Sequence, residues 1–429
     1  MIIELSVVLT IFSVFAFLYA FDRLTSISVW AGGMMTVCCI SYMFNMDFIG
    51  GDISCYTFFL VSLSVIAFFI GEFCVVNGIN KSQLCLSISY GTNTSKRPSK
   101  AFTLLCTCFA LVVAWLCIQE MINFLELTGQ SNIELFSIAI MIRSAFTSNE
   151  YIRSLPLQIG TAISQGIGYV FMYYYMYNTI IHKRTYFYLL LPVFAYICVL
   201  MTGTGRTGLM SLVLCVLAQQ YIFKKNGFSR FSVVDFIKKA SFYIFFLVFI
   251  FYTYGNFLRG SDHTLANYFV SYFSISVYGL DHVLEFPWEY NRQFGEYIFS
   301  NYYYYINKIF DTNYFIPEHH LPFFSWKNGQ SNIFTAILLP FLDFGIVGLV
   351  IMNIIIGAVY TYIEIAVLQK GMFNNVLVVS IFSYMFYFNF FYPIANRYMD
   401  IFTVTSFPLF ILMILFINYL YKRSSEFIF

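Results

Sequence analysis

Charge is what this chain has least of. Only 10% of its 429 residues are Asp, Glu, Lys or Arg, whereas 60% are hydrophobic and 21% aromatic. Soluble domains carry roughly 25% charged residues, so most of this surface must face lipid rather than water. The formal charge is +2 and there is no basic tail or Lys/Arg stripe, which excludes nucleic acid as a partner. Cysteine is absent after Cys215. The second half therefore has no disulfide framework, and no Cys–His spacing suits zinc. The N-terminus lacks a basic region and a cleavage site, so Ile2 to Phe21 is expected to be a retained span rather than a signal peptide. Internal repeats, low-complexity linkers and soluble domains are missing as well.

What is present is a series of apolar runs. At about 20 residues per crossing, eleven segments qualify: 2–21, 27–44, 53–76, 101–127, 156–180, 186–203, 205–223, 240–258, 332–362, 374–395 and 401–421. The expectation is an all-α polytopic membrane protein of about 11 transmembrane helices. It forms a single integral membrane domain over residues 1–429, with one large loop at 259–331. The run Ile133–Ile142 is too short to cross and is expected to be an interfacial or loop helix.

Lys and Arg set the orientation. With the N-terminus outside, the inner loops collect fifteen basic residues, Arg23, Lys96, Lys183 and Lys238 among them, and the outer side keeps eight of the 23. The long loop then lies outside. Six of the eight outer residues are Arg, whose planar guanidinium grips phosphate or carboxylate in bidentate fashion.

Several residues could carry chemistry. The turn Gly203-Thr204-Gly205-Arg206-Thr207-Gly208 opens a span on the outer side, where free helix amides and a guanidinium suit an anion. A glycine turn with a snorkelling arginine is the competing reading. Arg259 and Arg397 share that expected depth, so a diphosphate headgroup could draw Arg206, Arg259 and Arg397 together. Asp343, an acid inside an apolar run, is read as a general base, a partner that orients an arginine, or a proton-coupling group. Pro340 beside it is expected to kink the helix. His319 and His320, held between Pro317 and Pro322, are candidate bases, although paired loop histidines are also ordinary surface. His263 competes with them. The run Tyr302-Tyr303-Tyr304-Tyr305 is an interfacial aromatic belt or a platform for sugar rings. No cofactor or metal is expected.

Taken together, the glycine–arginine turn, the dominant outer loop, and Ser331-Asn332-Ile333-Phe334-Thr335-Ala336 leading into Asp343-Phe344-Gly345-Ile346-Val347-Gly348 resemble the O-antigen polymerases of the Wzy type. The resemblance implies a GT-C-like membrane fold in the bacterial inner membrane with a periplasmic active face. It implies an undecaprenyl-diphosphate-linked oligosaccharide as substrate, membrane lipid as surroundings, and a chain-length regulator protein as a further partner. For that chemistry the residues read above are assigned as follows: Asp343, His319 and His320 to catalysis, Arg206, Arg259 and Arg397 to the diphosphate, and His263 and Asn332 to the substrate loop. The related O-antigen ligases and a flippase or transporter of the lipid-linked unit are the alternatives. A transporter would show two matching halves, which this sequence lacks.

Overall fold

A computed structural model describes residues 1–78, 99–127, 153–202, 207–227, 232–259, 273–285, 293–317, 321–327, 329–368, 372–395, 397–402 and 407–424. In chain order the longer helices are α1 (Ile2–Tyr19), α2 (Ile27–Phe44), α3 (Cys55–Gly78), α4 (Lys100–Leu127), α5 (Leu155–Ile180), α6 (Leu190–Thr202), α7 (Thr207–Gly227) and α8 (Val233–Arg259). They continue with α9 (Ile275–Glu285), α10 (Ser300–Phe310), α11 (Leu338–Leu368), α12 (Val376–Phe391) and α13 (Phe407–Ser424). A two-stranded antiparallel hairpin, β1 (Phe324–Trp326) and β2 (Gly329–Ser331), precedes α11. Each run read as a span falls on a helix. Seven of these helices (α1, α2, α3, α4, α7, α11 and α13) are long and apolar enough to cross a membrane. The segments Phe187–Thr202 and Val376–Phe391 form shorter apolar helices. The segment Ile133–Ile142 lies outside the described residues.

The chain divides into two compact units. The first comprises Met1–Leu86, His263–Ala366 and Met385–Phe407, and the second comprises Ser87–Asp262, Val367–Tyr384 and Pro408–Phe429. In the second unit, aromatic rings fill the space between helices: Tyr173 of α5 packs on Phe223 of α7, and Tyr174 of α5 stacks on Tyr421 of α13 at 3.7 Å.

In the first unit, α1, α2 and α3 pack on one another, and α3 lies directly on α11. A Cβ on Gly71 would collide with the carbonyl of Ile354, and one on Gly357 would lie 2.5 Å from the carbonyl oxygen of Phe68. Two glycines therefore bring the backbones together, the usual device where lipid offers no hydrophobic drive for helix association. Along the same seam Asn353 Nδ2 donates to Ser64 Oγ at 2.5 Å, and Ser64 also bonds to the Tyr392 hydroxyl.

One end of this seam is closed by a buried charge cluster. Arg23, in the turn between α1 and α2, donates from Nη2 to Glu72 at 2.7 Å and from Nη1 to Glu364 at 3.2 Å. Thr25 Oγ1 donates to Glu364 at 2.6 Å, and Ser26 Oγ donates to both Glu72 oxygens at 2.8 Å. Glu72 and Glu364 are fully buried and Arg23 is 7% exposed. The sequence counts Arg23 among the basic residues of the inner loops; its partners make it an internal bridge between α3 and α11. Removing one member of a buried ionic cluster leaves an uncompensated charge and costs about 3–5 kcal/mol. Arg23→Met is accordingly expected to lower the thermal midpoint of the detergent-solubilised protein sharply. The triple variant Arg23→Met, Glu72→Gln, Glu364→Gln should recover much of the loss. Equal midpoints for Arg23→Met and wild type would show the cluster to be energetically idle.

Candidate functional site

The end of the first unit away from Arg23 gathers the residues that can do chemistry. Here the turn after α2, the start of α3, helix α9, the hairpin and the start of α11 come together.

Asp343 lies near the start of α11 and is half-buried. Its carboxylate accepts hydrogen bonds from Tyr297 N at 3.0 Å and from Ile298 N at 2.8 Å. The helix is broken two residues later, where Gly345 has φ 65° and ψ −165°. A positive φ is cheap only for glycine, so the Asp-Phe-Gly order has a local reason. Pro340 was expected to supply the kink; it sits instead in the first turn of α11, where its missing N–H breaks no ladder bond. Phe344 fills the space between the break and the loop, with its ring 4.9 Å from Phe294 and 6.3 Å from Phe299. Asp343 and Phe344 thus hold segment 294–299, which leads into α10, against the membrane helix.

Helix α10 has no buried residue, and it exposes Tyr302 and Tyr304. That placement fits an interfacial helix with aromatic anchors. Another acid, the buried Asp281 of α9, accepts from Ser54 N (2.9 Å), Ser54 Oγ (2.6 Å) and Thr57 Oγ1 (2.6 Å). It ties α9 to the first turn of α3.

Between these supports lies an open hollow of about 570 Å³ lined by Asp47, Ile49, Gly50, Gly51, Tyr278, Ser325, Trp326 and Lys327. Lys327 reaches across it, donating from N to Ile49 O at 3.2 Å and from Nζ to Asp47 O at 2.9 Å. The sequence presents Lys327 as an ordinary outer-loop cation, and nothing local marks Asp47 or Tyr278. The hollow's residues come from three distant stretches, so only the fold shows it. Burial, together with the Glu285 and Asp281 carboxylates, pushes the Tyr278 phenol above its ordinary range.

The other residues singled out in the sequence are distributed as follows. Asn332 is half-buried, just beyond β2. Arg397 opens a short 3-10 helix, Arg397–Phe402, with its guanidinium 3.9 Å from Asp400. Arg259 ends α8 in the second unit. Arg206, His263, His319 and His320 lie outside the described residues. Arg153 does reach the edge of the glycine–arginine turn: its guanidinium donates to Thr202 O at 3.1 Å, at the end of α6. Among the described residues no group of three or more His, Cys, Asp or Glu could hold a metal ion.

Together these features define a multi-pass helical membrane protein. Comparison with protein-family models, with curated proteins and with solved structures finds no match in any of the three.

The Asp343 geometry sets a clear expectation. Asp343→Ala leaves two amides without their acceptor, at about 1–3 kcal/mol for each group that stays buried. Asp343→Asn keeps one carbonyl oxygen and should lose less. Limited proteolysis of the 293–317 segment in membranes should therefore speed up in the order wild type, Asn, Ala. Identical cleavage in all three would show that Asp343 does not hold this segment.

Proposed function

We propose that this protein polymerises lipid-diphosphate-linked oligosaccharide repeat units at the outer face of a bacterial inner membrane. The observation that carries the reading is the clamp at Asp343-Phe344-Gly345. The motif that resembles the polymerases is the one that fastens an extramembrane segment, with its exposed tyrosines, to a membrane helix. A reaction between two lipid-anchored glycans needs such a platform, because both reacting ends sit just above the bilayer.

In this reading the hydroxyl of an incoming lipid-linked unit attacks the anomeric carbon of the growing chain. The C–O bond to the diphosphate breaks, and undecaprenyl diphosphate leaves with the electron pair. A base accepts the hydroxyl proton. His319 and His320 are assigned that role ahead of Asp343, whose carboxylate is already engaged by two amides. Arg206, Arg259 and Arg397 stabilise the departing diphosphate, the electrostatic contribution such a leaving group requires. The leaving group is already activated, so the scheme uses no nucleotide sugar. A chain-length regulator protein is the natural partner of such an enzyme.

Deletion separates this reading from its neighbours. Loss of a polymerase should leave lipid A core bearing a single repeat unit on a lipopolysaccharide gel, because flipping and ligation still operate. Bare core would assign the protein to ligation or flipping instead.

The arginines give a sharper test. Loss of a charge contact to a developing oxyanion costs roughly 2.7–4 kcal/mol, or about two to three decades of rate. Arg206→Ala and Arg259→Ala should shorten the glycan drastically at normal protein level. Arg206→Lys should fall between Ala and wild type, because lysine keeps the charge and loses the fork. Lys308→Ala, on the exposed helix α10, is the control. Wild-type glycan from both Ala variants would make these arginines simple interfacial anchors.

A further inference from the structure

We propose that the hollow between the Asp47–Gly51 turn, Tyr278 and the β1–β2 hairpin is a binding site for a neutral pyranose unit of a glycan. Its lining mixes the exposed Asp47 and Ser325 with the half-buried Tyr278 and Trp326, and Lys327 reaches across it.

The wall chemistry narrows the ligand class. Two aromatic side chains line the hollow and suit apolar C–H groups, while an acid and two hydroxyls add a mixed set of donors and acceptors. A pyranose ring has that combination, with apolar C–H faces and a rim of hydroxyls. Gly50 (φ 130°) and Gly51 (φ 147°) leave a wall of bare peptide, since their backbone conformations disfavour any side chain. The hollow's volume of about 570 Å³ falls within the roughly 300–1,000 Å³ typical of small-molecule sites. An acyl chain would find too many polar groups here. A diphosphate would meet a single lysine that already donates to the Asp47 carbonyl, with the Asp47 carboxylate in the same wall.

The hollow is also rigidly built. Asp281 pins α9 to α3, Lys327 N is tied to Ile49 O, and the Phe48 ring packs 5.4 Å from Trp326. A sugar would therefore enter a preformed site, with little ordering cost. The proposal deepens the polymerase reading by giving the acceptor glycan a seat, and it rests on that reading only for which glycan is bound in the cell.

The test is a titration of the full-length protein in detergent micelles. The probes are neutral trisaccharides of hexose, 6-deoxyhexose and N-acetylhexosamine, with inorganic diphosphate as a separate arm. Intrinsic fluorescence reports occupancy, because Trp326 lines the hollow. At least one trisaccharide should give a saturable change. Asp47→Ala and Tyr278→Phe should each weaken it about tenfold or more, as expected for lost hydrogen bonds, one of them to a charged group. Asp47 and Ser325 are exposed, so Asp47→Ala and Ser325→Ala should keep the wild-type elution profile, and a folded variant is always at hand. The proposal is overturned if no trisaccharide binds, if all three variants bind like wild type, or if diphosphate displaces the sugar. The gel phenotype is a separate readout. Saccharide binding alongside an unaltered glycan in the deletion strain would remove the polymerase reading and leave the hollow standing. The reverse result would remove the hollow alone.

Discussion

Everything in the first unit depends on bringing α3 and α11 into backbone contact and keeping them there. Gly71 and Gly357 permit the approach, but in lipid close approach gains only van der Waals contact and interhelical hydrogen bonds. The Arg23 bridge supplies the missing specificity. One guanidinium engages two carboxyl groups from different helices, and two short polar side chains beside it, Thr25 and Ser26, add further hydrogen bonds to them. A one-turn slip of either helix would displace Glu72 or Glu364 from Arg23 and leave it unpaired in an apolar surround. The cluster therefore acts as a register lock whose value lies as much in the alternatives it forbids as in the bonds it makes.

That lock has a consequence at the opposite end of the same helices. The first turn of α3 is where Asp281 attaches α9, and the start of α11 is where Asp343 holds the 294–299 segment. Two extramembrane pieces are thus referenced to two helices whose relative position is fixed by charge and by glycine contact. Each attachment uses a carboxylate accepting backbone amides, which is stronger and more directional than a neutral hydrogen bond. The hairpin closes the arrangement through Lys327 and Ile49. A site at a membrane surface cannot rely on surrounding protein on every side, and this layering substitutes for it.

How much of this could be read in the sequence varies by feature. Helix positions were legible because lipid demands long apolar runs, and such runs are visible residue by residue. Asp343 was legible as an acid out of place, but not as a clamp, because its partners are backbone amides that no side-chain pattern advertises. The kink was assigned to Pro340 on propensity, whereas the break falls at Gly345. Proline in a first helical turn is harmless, and only a glycine tolerates that backbone. Glu72 and Glu364 could have been found by the same rule that singled out Asp343, since both interrupt apolar sequence. Arg23 was legible only as an inner-loop basic residue, because its carboxylate partners lie on helices far along the chain. The hollow left no trace, because its residues come from positions 47–51, 278 and 325–327, which nothing in the linear order connects.

The division of labour among the acids constrains where chemistry can happen. A general base needs a lone pair aimed at the incoming proton, and the carboxyl groups of Glu72, Glu364, Asp281 and Asp343 are already committed to protein donors. The first two are buried at the end of the bundle away from the hollow. Asp47 differs: it is exposed, and no protein group occupies its carboxylate among the described residues. Such an exposed carboxylate suits holding a sugar hydroxyl, whereas the proposed reaction also needs a group that takes the hydroxyl's proton. Imidazole matches that second task. In the proposed reaction the roles would therefore separate: four carboxylates fix the scaffold, Asp47 orients a sugar, and His319 and His320 are the bases that would set its pH dependence.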